Sequence, residues 1–326
     1  MKYRKLGNTD LKVSEIAVGC SGYWGNRRFP DTKAESIIYE AFEKGVNFFD
    51  TGHNYSEFNA EPKLGRAVKN ILTNNDRSEI IISTKVGSTI GRAPIFSNRK
   101  KIFQDFSPDY IEKSCAKSIK NLNCDYLDIF QLHGISEAYM SPQFIEALLS
   151  MKEKGMFRYL GVNTHSESNM LYISKYPEIF DMVLIDYNIL QLDREDIISK
   201  LHNAGIGVVA GTVLAQGHLV KGKIGSIKSI ADIWYLARAI IKPAGRKLSR
   251  GSKIMREALL SLNDITPAQA AFSYILGNNE ISSCIFGTTK ISNLLEIIDA
   301  TNKTLDINSK KEIQKIFNEL PEKISC

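Results

Sequence analysis

The sequence is poor in the features that mark disulfide-rich, metal-binding or membrane proteins. Its five cysteines are scattered, odd in number and never form a Cys-x-x-Cys pair, so neither a disulfide framework nor a zinc or iron–sulfur site is indicated. No run of 18 apolar residues appears, so no transmembrane helix is expected. The first residues lack the apolar core of a signal peptide. We therefore expect a protein of the reducing cytoplasm, without a membrane or a metal.

Apolar runs of strand length alternate with helix-period segments along the whole chain. The strand-like runs start near residues 16, 47, 80, 126, 157, 182, 206 and 282. Strict alternation predicts a parallel sheet with helices outside, and eight units in 326 residues fit a (β/α)8 barrel. The competing open dinucleotide fold needs a Gly-rich turn that leads from a strand into a helix, whereas Gly205–Ala210 leads into a strand.

We therefore predict the α/β class: one (β/α)8 TIM barrel domain over residues 1–326, with an N-terminal β-hairpin that turns at Gly7-Asn8. Thr32–Glu35 and Thr266–Gln269 have the pattern of capping boxes at helix starts. Ser141-Pro142, like Ser107-Pro108, supplies an N-cap followed by a proline in the first helical turn.

Four side chains suited to chemistry are predicted to lie at the C-terminal ends of neighbouring strands. Asp50 and His133 close strands two and four, Lys85 lies just past the C-terminal end of strand three, and Tyr55 follows in the loop after strand two. In a barrel these strand ends form the rim of the active site, so the four side chains can converge. Each has an ordinary alternative: a turn-forming Asp, a surface Tyr, a solvated Lys or a structural His. Their common location favours a site.

The chemistry that this set suggests is proton transfer to a carbonyl group. A tyrosine with a pKa of about 10 is a poor acid at neutral pH, but a neighbouring Lys85 ammonium would lower the pKa of Tyr55. Asp50 can keep Lys85 charged, and His133 can donate a hydrogen bond to the substrate oxygen. The sequence contains no hydrolytic nucleophile–base pair and no metal-ligand cluster, so a hydride must come from a cofactor.

The motifs around these residues resemble those of the aldo-keto reductases over essentially the whole chain. The matching segments are Asp50–Tyr55, Glu61–Gly65, Thr84-Lys85, Gln131–His133, Leu160–Val162, Leu214–Gly217 and Gly287–Lys290. The resemblance implies a (β/α)8 barrel, a small-molecule carbonyl substrate and NADPH (NADP+) as the cofactor. It also implies that Tyr55 is the general acid, that Lys85 tunes it and that Asp50 supports Lys85. His133 would orient the carbonyl.

The cofactor side departs from the common pattern of that family. Asn163-Thr164 replace a Ser-Asn pair, Leu184 replaces a Gln, and Gly211 replaces an aromatic that often stacks on the nicotinamide. Glu296-Ile297 replace a frequent Glu-Asn pair near the adenine. Lys290, at a predicted helix N-terminus, is the candidate contact for a 2′-phosphate. The resemblance implies a dinucleotide site formed by Asn163, Thr164, Leu184, Gly211, Thr212, Leu214, Gln216, Gly217, Gly287, Thr288, Thr289, Lys290 and Asn293.

Two further regions have two interpretations each. Tyr23 and Trp24 either line the substrate wall or plug the barrel mouth. The long insertion after strand 7, Lys221–Arg256, holds ten Lys and Arg residues against one acid, Asp232, so it carries +9 of a chain total of only +6. This basic segment is either a solvated helix face or a surface that attracts anions, such as the cofactor or a phosphorylated substrate. The charge gives no indication of a nucleic-acid partner.

Three functions remain open at this point. The first is an NADPH-dependent reductase of an aldehyde or ketone, possibly a sugar derivative. The second is an epimerase or lyase that uses Tyr55 and Lys85 on a proton next to a carbonyl, without net redox. The third is a non-catalytic subunit that senses the cofactor, which the intact Asp50, Tyr55, Lys85 and His133 argue against. The sequence does not give the natural substrate or the oligomeric state.

Overall fold

The structure of the chain is a computed structural model that describes residues 1–91, 102–220 and 243–320, with the backbone alone described for 243–251. The strands in these ranges, β1 to β12 in chain order, are Tyr3–Lys5, Lys12–Ser14, Ile16–Gly19, Phe48–Asp50, Ile81–Val86, Ser88–Ile90, Ile102–Gln104, Leu127–His133, Phe157–Thr164, Met182–Asp186, Gly207–Gly211 and Ile281–Phe286. The helices, α1 to α10, are Asp31–Glu43, Ala60–Ile71, Pro108–Leu122, Pro142–Glu153, Glu167–Ile173, Glu195–Asn203, Pro243–Leu260, Pro267–Leu276, Ile291–Asp299 and Ile307–Glu319.

Eight of the strands close into a parallel barrel. Their order around it is β3, β4, β5, β8, β9, β10, β11 and β12, and β12 pairs back onto β3. Each of the eight strand-like runs of the sequence becomes one of these strands, so the predicted (β/α)8 barrel is confirmed. The N-terminal hairpin is confirmed as well, because β1 and β2 pair antiparallel with Tyr3 opposite Ser14.

The hairpin closes the end of the barrel where the strands begin. Leu6, Leu11 and Val13 are buried, and they pack with Phe48 and Ile129 inside the barrel. A second and larger apolar cluster fills the space between the strands and the surrounding helices. The end where the strands finish is thereby left for functional side chains.

Gly7 lets the hairpin approach the barrel closely. It has a φ of +52°, and a Cβ at this position would lie 2.4 Å from the carbonyl oxygen of Gly205 and from the amide nitrogen of Gly207. The next residue, Asn8, donates its backbone N–H to the Gly205 carbonyl at 2.8 Å. The predicted Gly7-Asn8 turn is therefore also the contact between the hairpin and the start of β11.

Most of the helix starts lie where the sequence predicts them. The Thr266 side chain accepts from the Gln269 backbone while the Gln269 side chain accepts from the Thr266 backbone, which is the predicted capping box. Ser141 accepts from the Phe144 N–H at the start of α4. Ser107 is the N-cap of α3, although its side chain makes no capping hydrogen bond.

The capping box predicted at Thr32–Glu35 is wrong. Helix α1 begins at Asp31 with Pro30 at its N-cap, and no side chain caps it. Pro30 has no N–H to satisfy and its φ of −57° already suits a helix start, so the helix begins before Thr32 is reached. The buried face of α1, formed by Ala34, Ile37 and neighbouring apolar residues, holds it on the barrel.

The basic segment lies largely outside the described residues. Positions 221–242 are not described, and the remainder belongs to α7, whose N-terminal part is described by its backbone alone. The C-terminal part of α7 is anchored, because Met255 and Leu259 are fully buried. Arg246, Lys247 and Arg250 fall in the part without described side chains.

Candidate active site

Lys85 and Asp50 form a buried ion pair between adjacent barrel strands. The side chain of Lys85 donates from Nζ to Asp50 Oδ2 and to the backbone oxygen of Thr51, the latter at 2.8 Å. Lys85 is 1% exposed and Asp50 is 4% exposed. The pair exists because β4 and β5 are neighbours in which Asp50 lies opposite Ser83, two residues before Lys85.

The prediction that Lys85 lies just past the end of strand three is wrong, because Lys85 lies inside that strand. β5 continues to Val86, and Lys85 pairs with Gln131 of β8. Because alternate side chains of a strand share a face, Ser83 and Lys85 point to the same side of β5. Lys85 is thus the fifth of the six residues of β5, one position before the end of the strand.

The pKa of Lys85 is raised although the side chain is buried. Burial alone would lower it, but the charge of Asp50, the charge of Tyr55 and hydrogen bonds to both side chains outweigh that effect. Lys85 Nζ lies 5.3 Å from the centroid of the Tyr55 ring. The ammonium therefore stays protonated next to the phenol.

His133 closes β8 and contacts Tyr55. The two rings meet edge to face with centroids 5.8 Å apart. Burial and, to a lesser extent, the charges of Lys85 and His165 lower the pKa of His133 to about 4. Its Nδ1 is buried without a hydrogen-bond partner among the described residues. A neutral imidazole with its proton on Nε2 suits this environment, and it can donate one hydrogen bond from Nε2.

Gln131 is a member of this cluster that was not predicted. Gln131 Nε2 donates to Asp50 Oδ1 at 2.7 Å and to Ser83 Oγ at 2.6 Å. Lys85 and Gln131 thus use separate oxygens of the Asp50 carboxylate. The signal was present, because Gln131 lies two residues before His133 on one strand and so shares its face.

A second pair, also missed, lies further around the rim. His165 follows β9, and its Nδ1 is 2.7 Å from Asp186 Oδ2 at the end of β10. Burial would raise the pKa of Asp186, but the hydrogen bond and charge of His165, a hydrogen bond from Thr212 and the charge of Arg194 lower it. Thr212, a predicted cofactor residue, is thereby tied to this pair.

The residues on the predicted cofactor side that differ from the family pattern lie close to one another. Asn163 Nδ2 donates to the Leu184 backbone oxygen at 3.2 Å. The Leu184 side chain belongs to the apolar cluster inside the barrel, and its Cδ1 lies 3.4 Å from the position that a Cβ would take at Gly211. Thr164 is buried and accepts from the Ser166 N–H at 3.2 Å. The structure brings these four positions together at the ends of β9, β10 and β11.

The loop after β11 has a left-handed backbone at several positions. Thr212, Ala215, Gln216 and Gly217 have φ values of 51°, 46°, 58° and 89°. The last three form a short 3-10 turn that starts directly after Leu214. The N–H groups of Ala215 and Gly217 donate within the turn, to the Thr212 oxygen at 2.7 Å and the Leu214 oxygen at 2.8 Å. Right-handed Leu214 followed by left-handed Ala215 is the one pair in this turn with the backbone order that can present N–H groups to phosphate oxygens.

The N-terminus of α9 is a second place where N–H groups are available. Lys290 is its N-cap, but no side chain caps the helix. Thr288 Oγ1 accepts from the Lys290 N–H at 3.1 Å, while the Lys290 and Asn293 side chains are exposed. Gly287 is exposed and Thr289 is partly buried in the same turn. An uncapped helix N-terminus with a lysine beside it fits an anion.

Tyr23 and Trp24 both pack into the core beneath α1. Trp24 is 1% exposed and donates from Nε1 to the Ala34 backbone oxygen at 3.2 Å. Tyr23 is buried, and its ring lies 5.8 Å from that of Phe29. This packing lies in the cluster between the strands and the helices, and both interpretations, a barrel-mouth plug and a substrate wall, stay predictions.

The described residues contain neither a metal-ligand group nor a membrane-spanning helix. No group of three or more His, Cys, Asp or Glu side chains in those ranges could hold a metal ion. No helix in the described part of the chain is both long and apolar enough to cross a membrane.

A family model described as the Aldo/keto reductase family matches residues 15–318. The chain belongs to this family. It is therefore an oxidoreductase of the class that uses NAD(P)H and acts on small-molecule carbonyl groups.

Full-length relatives support the assignment. YqkF of Bacillus subtilis (strain 168), described as an uncharacterized oxidoreductase, is 28% identical over 325 residues, which cover 97% of this chain and 99% of that protein. L-glyceraldehyde 3-phosphate reductase of Escherichia coli (strain K12) is 26% identical over 330 residues, covering 97% and 91%. The holo form of aldo-keto reductase AKR11C1 from Bacillus halodurans superposes with a TM-score of 0.75 at 27% identity, covering 97% and 96%.

Proposed function

We propose that this protein reduces an aldehyde or ketone, of a sugar or sugar derivative, to the alcohol with NADPH, and that Tyr55 is the general acid. The observation that carries the proposal is the buried Lys85, which is held charged beside Tyr55 by Asp50. A cation at this position favours the phenolate over the phenol, so it makes Tyr55 a stronger acid than a free tyrosine. If the Lys85–Asp50 pair only stabilised the fold, a phenol 5.3 Å from Lys85 Nζ would not be expected.

The protein's own residues divide the work at the carbonyl oxygen. The neutral His133 donates a hydrogen bond that orients the carbonyl and stabilises the charge that develops on oxygen. Tyr55 then delivers its proton to that oxygen, and the adjacent Lys85 stabilises the phenolate that is left. Asp50, itself held by Gln131, keeps Lys85 oriented. NADPH, when bound, supplies the hydride.

The proposed cofactor site combines the two anion-suited backbones. The left-handed loop Thr212–Gly217 would hold the pyrophosphate, and the turn Gly287–Lys290 with Asn293 would hold the adenosine end. Lys290 would pair with the 2′-phosphate that distinguishes NADPH from NADH. Asn163, Thr164, Leu184 and Gly211 would surround the nicotinamide. The holo form of the structural neighbour supports a nicotinamide cofactor in this fold.

The proposed substrate is a small aldehyde, and an anionic one fits two observations. The E. coli relative is named for a phosphorylated aldehyde. In this chain the basic segment, which follows the seventh barrel strand in the sequence, carries a net charge of +9. We further propose that residues 1–326 act as one barrel domain in the reducing cytoplasm, which suits the free thiols of Cys20, Cys115, Cys124 and Cys284.

The direct test is a redox assay on purified protein. NADPH is mixed with a panel of neutral and phosphorylated sugars and small aldehydes, and the loss of nicotinamide absorbance is followed. We expect turnover that depends on both components, with an alcohol as the product. If the absorbance stays constant while a substrate is converted to an isomer or an elimination product, the epimerase or lyase is correct instead. If NADPH binds and no carbonyl compound is changed, the sensing subunit is correct.

A further inference from the structure

Glu61 is a buried carboxylate that the proposed mechanism does not use. It lies in the first turn of α2, six positions after Tyr55, and is 0% exposed. Oε1 accepts from Thr84 Oγ1 at 2.7 Å, and Oε2 accepts from Asn121 Nδ2 at 3.0 Å. Oε2 also lies 3.4 Å from His53 Nδ1. The carboxylate therefore joins the loop after β4, the strand β5 and the helix α3.

The two residues that Glu61 contacts nearest the rim are direct neighbours of the catalytic candidates. Thr84 precedes Lys85 on β5. His53 precedes Tyr55 by two positions, and its backbone N–H donates to the Lys85 backbone oxygen at 2.8 Å. A single carboxylate thus holds the backbone on both sides of the Lys85–Tyr55 pair.

The loop between His53 and Glu61 has a conformation that needs support. Ser56, Glu57 and Phe58 have φ values of 51°, 59° and 65°, and three successive left-handed residues with a Cβ are disfavoured. This left-handed turn begins directly after Tyr55, so it fixes where the phenol can point. His53 and Glu61 stand at the two ends of the turn, and their side-chain contact closes it.

Other contacts hold the turn from outside but do not connect it to Lys85. Ser56 Oγ donates to the Gly22 oxygen at 2.9 Å, and Asn59 Nδ2 donates to the Gly25 oxygen at 2.7 Å. The His53 ring meets Phe58 edge to face at 5.3 Å. The Glu61 carboxylate is distinct from these because it also reaches β5.

The sequence builds this arrangement through the spacing of Glu61 and Gly65. Four positions apart on α2, they share a face that packs on α3. A Cβ at Gly65 would lie 2.0 Å from the Asn121 backbone oxygen, so only glycine permits the close approach of the two helices. Asn123 Nδ2 donates to the Gly65 oxygen at 2.9 Å and fixes this contact. The approach brings the Asn121 amide within reach of Glu61.

The carboxylate remains ionised in this position. Burial would raise the pKa of Glu61, but the hydrogen bond and charge of His53 and hydrogen bonds from Ser118 and Asn121 lower it. The helix N-terminus further favours a negative charge in the first turn of α2. An ionised acceptor makes stronger hydrogen bonds to Thr84 and Asn121 than a neutral amide would.

We propose that Glu61 is a positioning residue that holds Tyr55 at Lys85 by tying the ends of the left-handed turn to β5. This inference rests on the proposed function, because it assigns Glu61 a role in the proton transfer from Tyr55. The ordinary alternative is that Glu61 only satisfies the helix N-terminus and stabilises the fold. A positioning role predicts that a folded Glu61 variant loses activity, whereas a purely structural role predicts that it keeps its activity.

The test compares Glu61→Gln with the matched control Asp128→Asn. Asp128 is also buried, and it accepts from Arg77 at 2.7 Å and from the Ile82 N–H at 2.9 Å, but it lies at the other end of β8. NADPH titration counts the folded sites in each preparation. For Glu61→Gln we expect kcat per site to fall by about tenfold or more with the KM for NADPH within about twofold, because small misplacements of reacting groups reduce rates steeply. For Asp128→Asn we expect a kcat per site within about twofold of the wild type. Equal kcat values per site in Glu61→Gln and the wild type would overturn the proposal.

A second pair of variants serves if Glu61→Gln does not fold. Thr84→Val keeps the shape of the side chain but removes the hydrogen bond to Glu61, whereas Thr84→Ser retains the hydroxyl. We expect Thr84→Val to lower kcat per NADPH site, with Thr84→Ser recovering most of the loss. Equal kcat values for the two would overturn the proposal.

A third measurement separates the failure of this inference from the failure of the proposed function. If the wild type reduces no carbonyl compound with NADPH, the function is wrong and the kinetic comparison does not apply. Hydrogen exchange of the backbone amides in residues 51–60 then tests Glu61 itself. We expect faster exchange there in Glu61→Gln, or in Thr84→Val, than in Asp128→Asn. Unchanged exchange in the Glu61 and Thr84 variants contradicts the proposal.

Discussion

The ammonium of Lys85 lies 5.3 Å from the centre of the Tyr55 ring while the same nitrogen donates to the carboxylate of Asp50. The cation is thus placed between a base that keeps it charged and a phenol whose acidity it can change. This relationship connects two strands and a loop, since Asp50 closes β4, Lys85 belongs to β5 and Tyr55 follows β4.

Asp50→Asn tests how the charge of Lys85 is maintained. The charge of Asp50 is the main effect that raises the pKa of Lys85 against burial, so the substitution should lower that pKa. Lys85 would then lose its proton at a lower pH, and above that pH a neutral Lys85 would no longer stabilise the Tyr55 phenolate, so the loss of the Lys85 proton would set the alkaline limit of activity. We expect the alkaline limb of kcat/KM to move to lower pH in Asp50→Asn. An alkaline limb at the wild-type position would show that Asp50 does not control Lys85.

The control for this experiment is Asp181→Asn. Asp181 directly precedes β10, at the end of the barrel away from the rim. It pairs with Lys152 at 3.3 Å and accepts from the N–H of Leu160 in β9. We expect its pH profile to match that of the wild type.

His133→Gln tests the neutral state of the imidazole through stability. The pKa of His133 is lowered from its usual value near 6.5 to about 4, so between these values the unfolded chain binds more protons than the folded one. Stability contributed by the neutral His133 is therefore lost as the pH falls through this window, at about 1.4 kcal/mol per pH unit. The free energy of unfolding is measured with urea at about pH 7 and at about pH 4.5. Its decrease between these pH values should be smaller in His133→Gln than in the wild type, by about 2 kcal/mol. Equal falls would mean that His133 titrates normally.

Lys290→Ala tests cofactor choice. Loss of a charge-assisted contact to the 2′-phosphate should weaken NADPH binding by about 1.5–3 kcal/mol and leave NADH binding nearly unchanged. Dissociation constants for both cofactors, measured by fluorescence titration, check this. Lys311→Ala, an exposed lysine of α10, is the matched control, and neither constant should change in it. Equal weakening of both cofactors in Lys290→Ala would place Lys290 away from the phosphate.

The basic segment is tested by ionic strength. Attraction between exposed charges is screened over about 10 Å at 0.1 M salt, so the KM for NADPH should rise with salt if the segment attracts anions. Replacing Arg246, Lys247 and Arg250 together by Gln should flatten that rise. A wild-type salt slope in the triple variant would favour the solvated helix face. This prediction depends on the sequence charge alone, since these side chains lie outside the described residues.

The fold was predictable because its signals are local. Each barrel strand is a short apolar run, and helix starts such as Thr266-Pro267 carry their own capping residues. The error at Thr32 shows the limit of that reasoning, since a helix can begin on Pro30 and its buried face without a side-chain cap. Strand ends were predicted to within a residue or two, which is why Lys85 was placed just beyond β5 rather than within it.

The site was predictable only as far as topology determines it. Asp50, Lys85 and His133 were found because the ends of parallel strands must meet at one rim. Gln131 and Asp50 are separated by 81 positions in the sequence, and Glu61 and Thr84 by 23. Their contacts depend on strand register and helix packing, which no local sequence pattern contains. The left-handed turn after Tyr55 could not be predicted either. Ser56, Glu57 and Phe58 are not residue types that favour a positive φ.

The central claim is that Tyr55 is the general acid of a carbonyl reductase. Tyr55→Phe removes the phenolic proton and keeps the ring. The matched control is Tyr39→Phe, because Tyr39 lies on α1 and its hydroxyl accepts a hydrogen bond from Asn70. The decisive measurement is single-turnover oxidation of bound NADPH by an aldehyde substrate. We predict that Tyr55→Phe is slower by at least about 10²-fold with NADPH affinity little changed, while Tyr39→Phe matches the wild type. Wild-type rates in Tyr55→Phe would contradict the account.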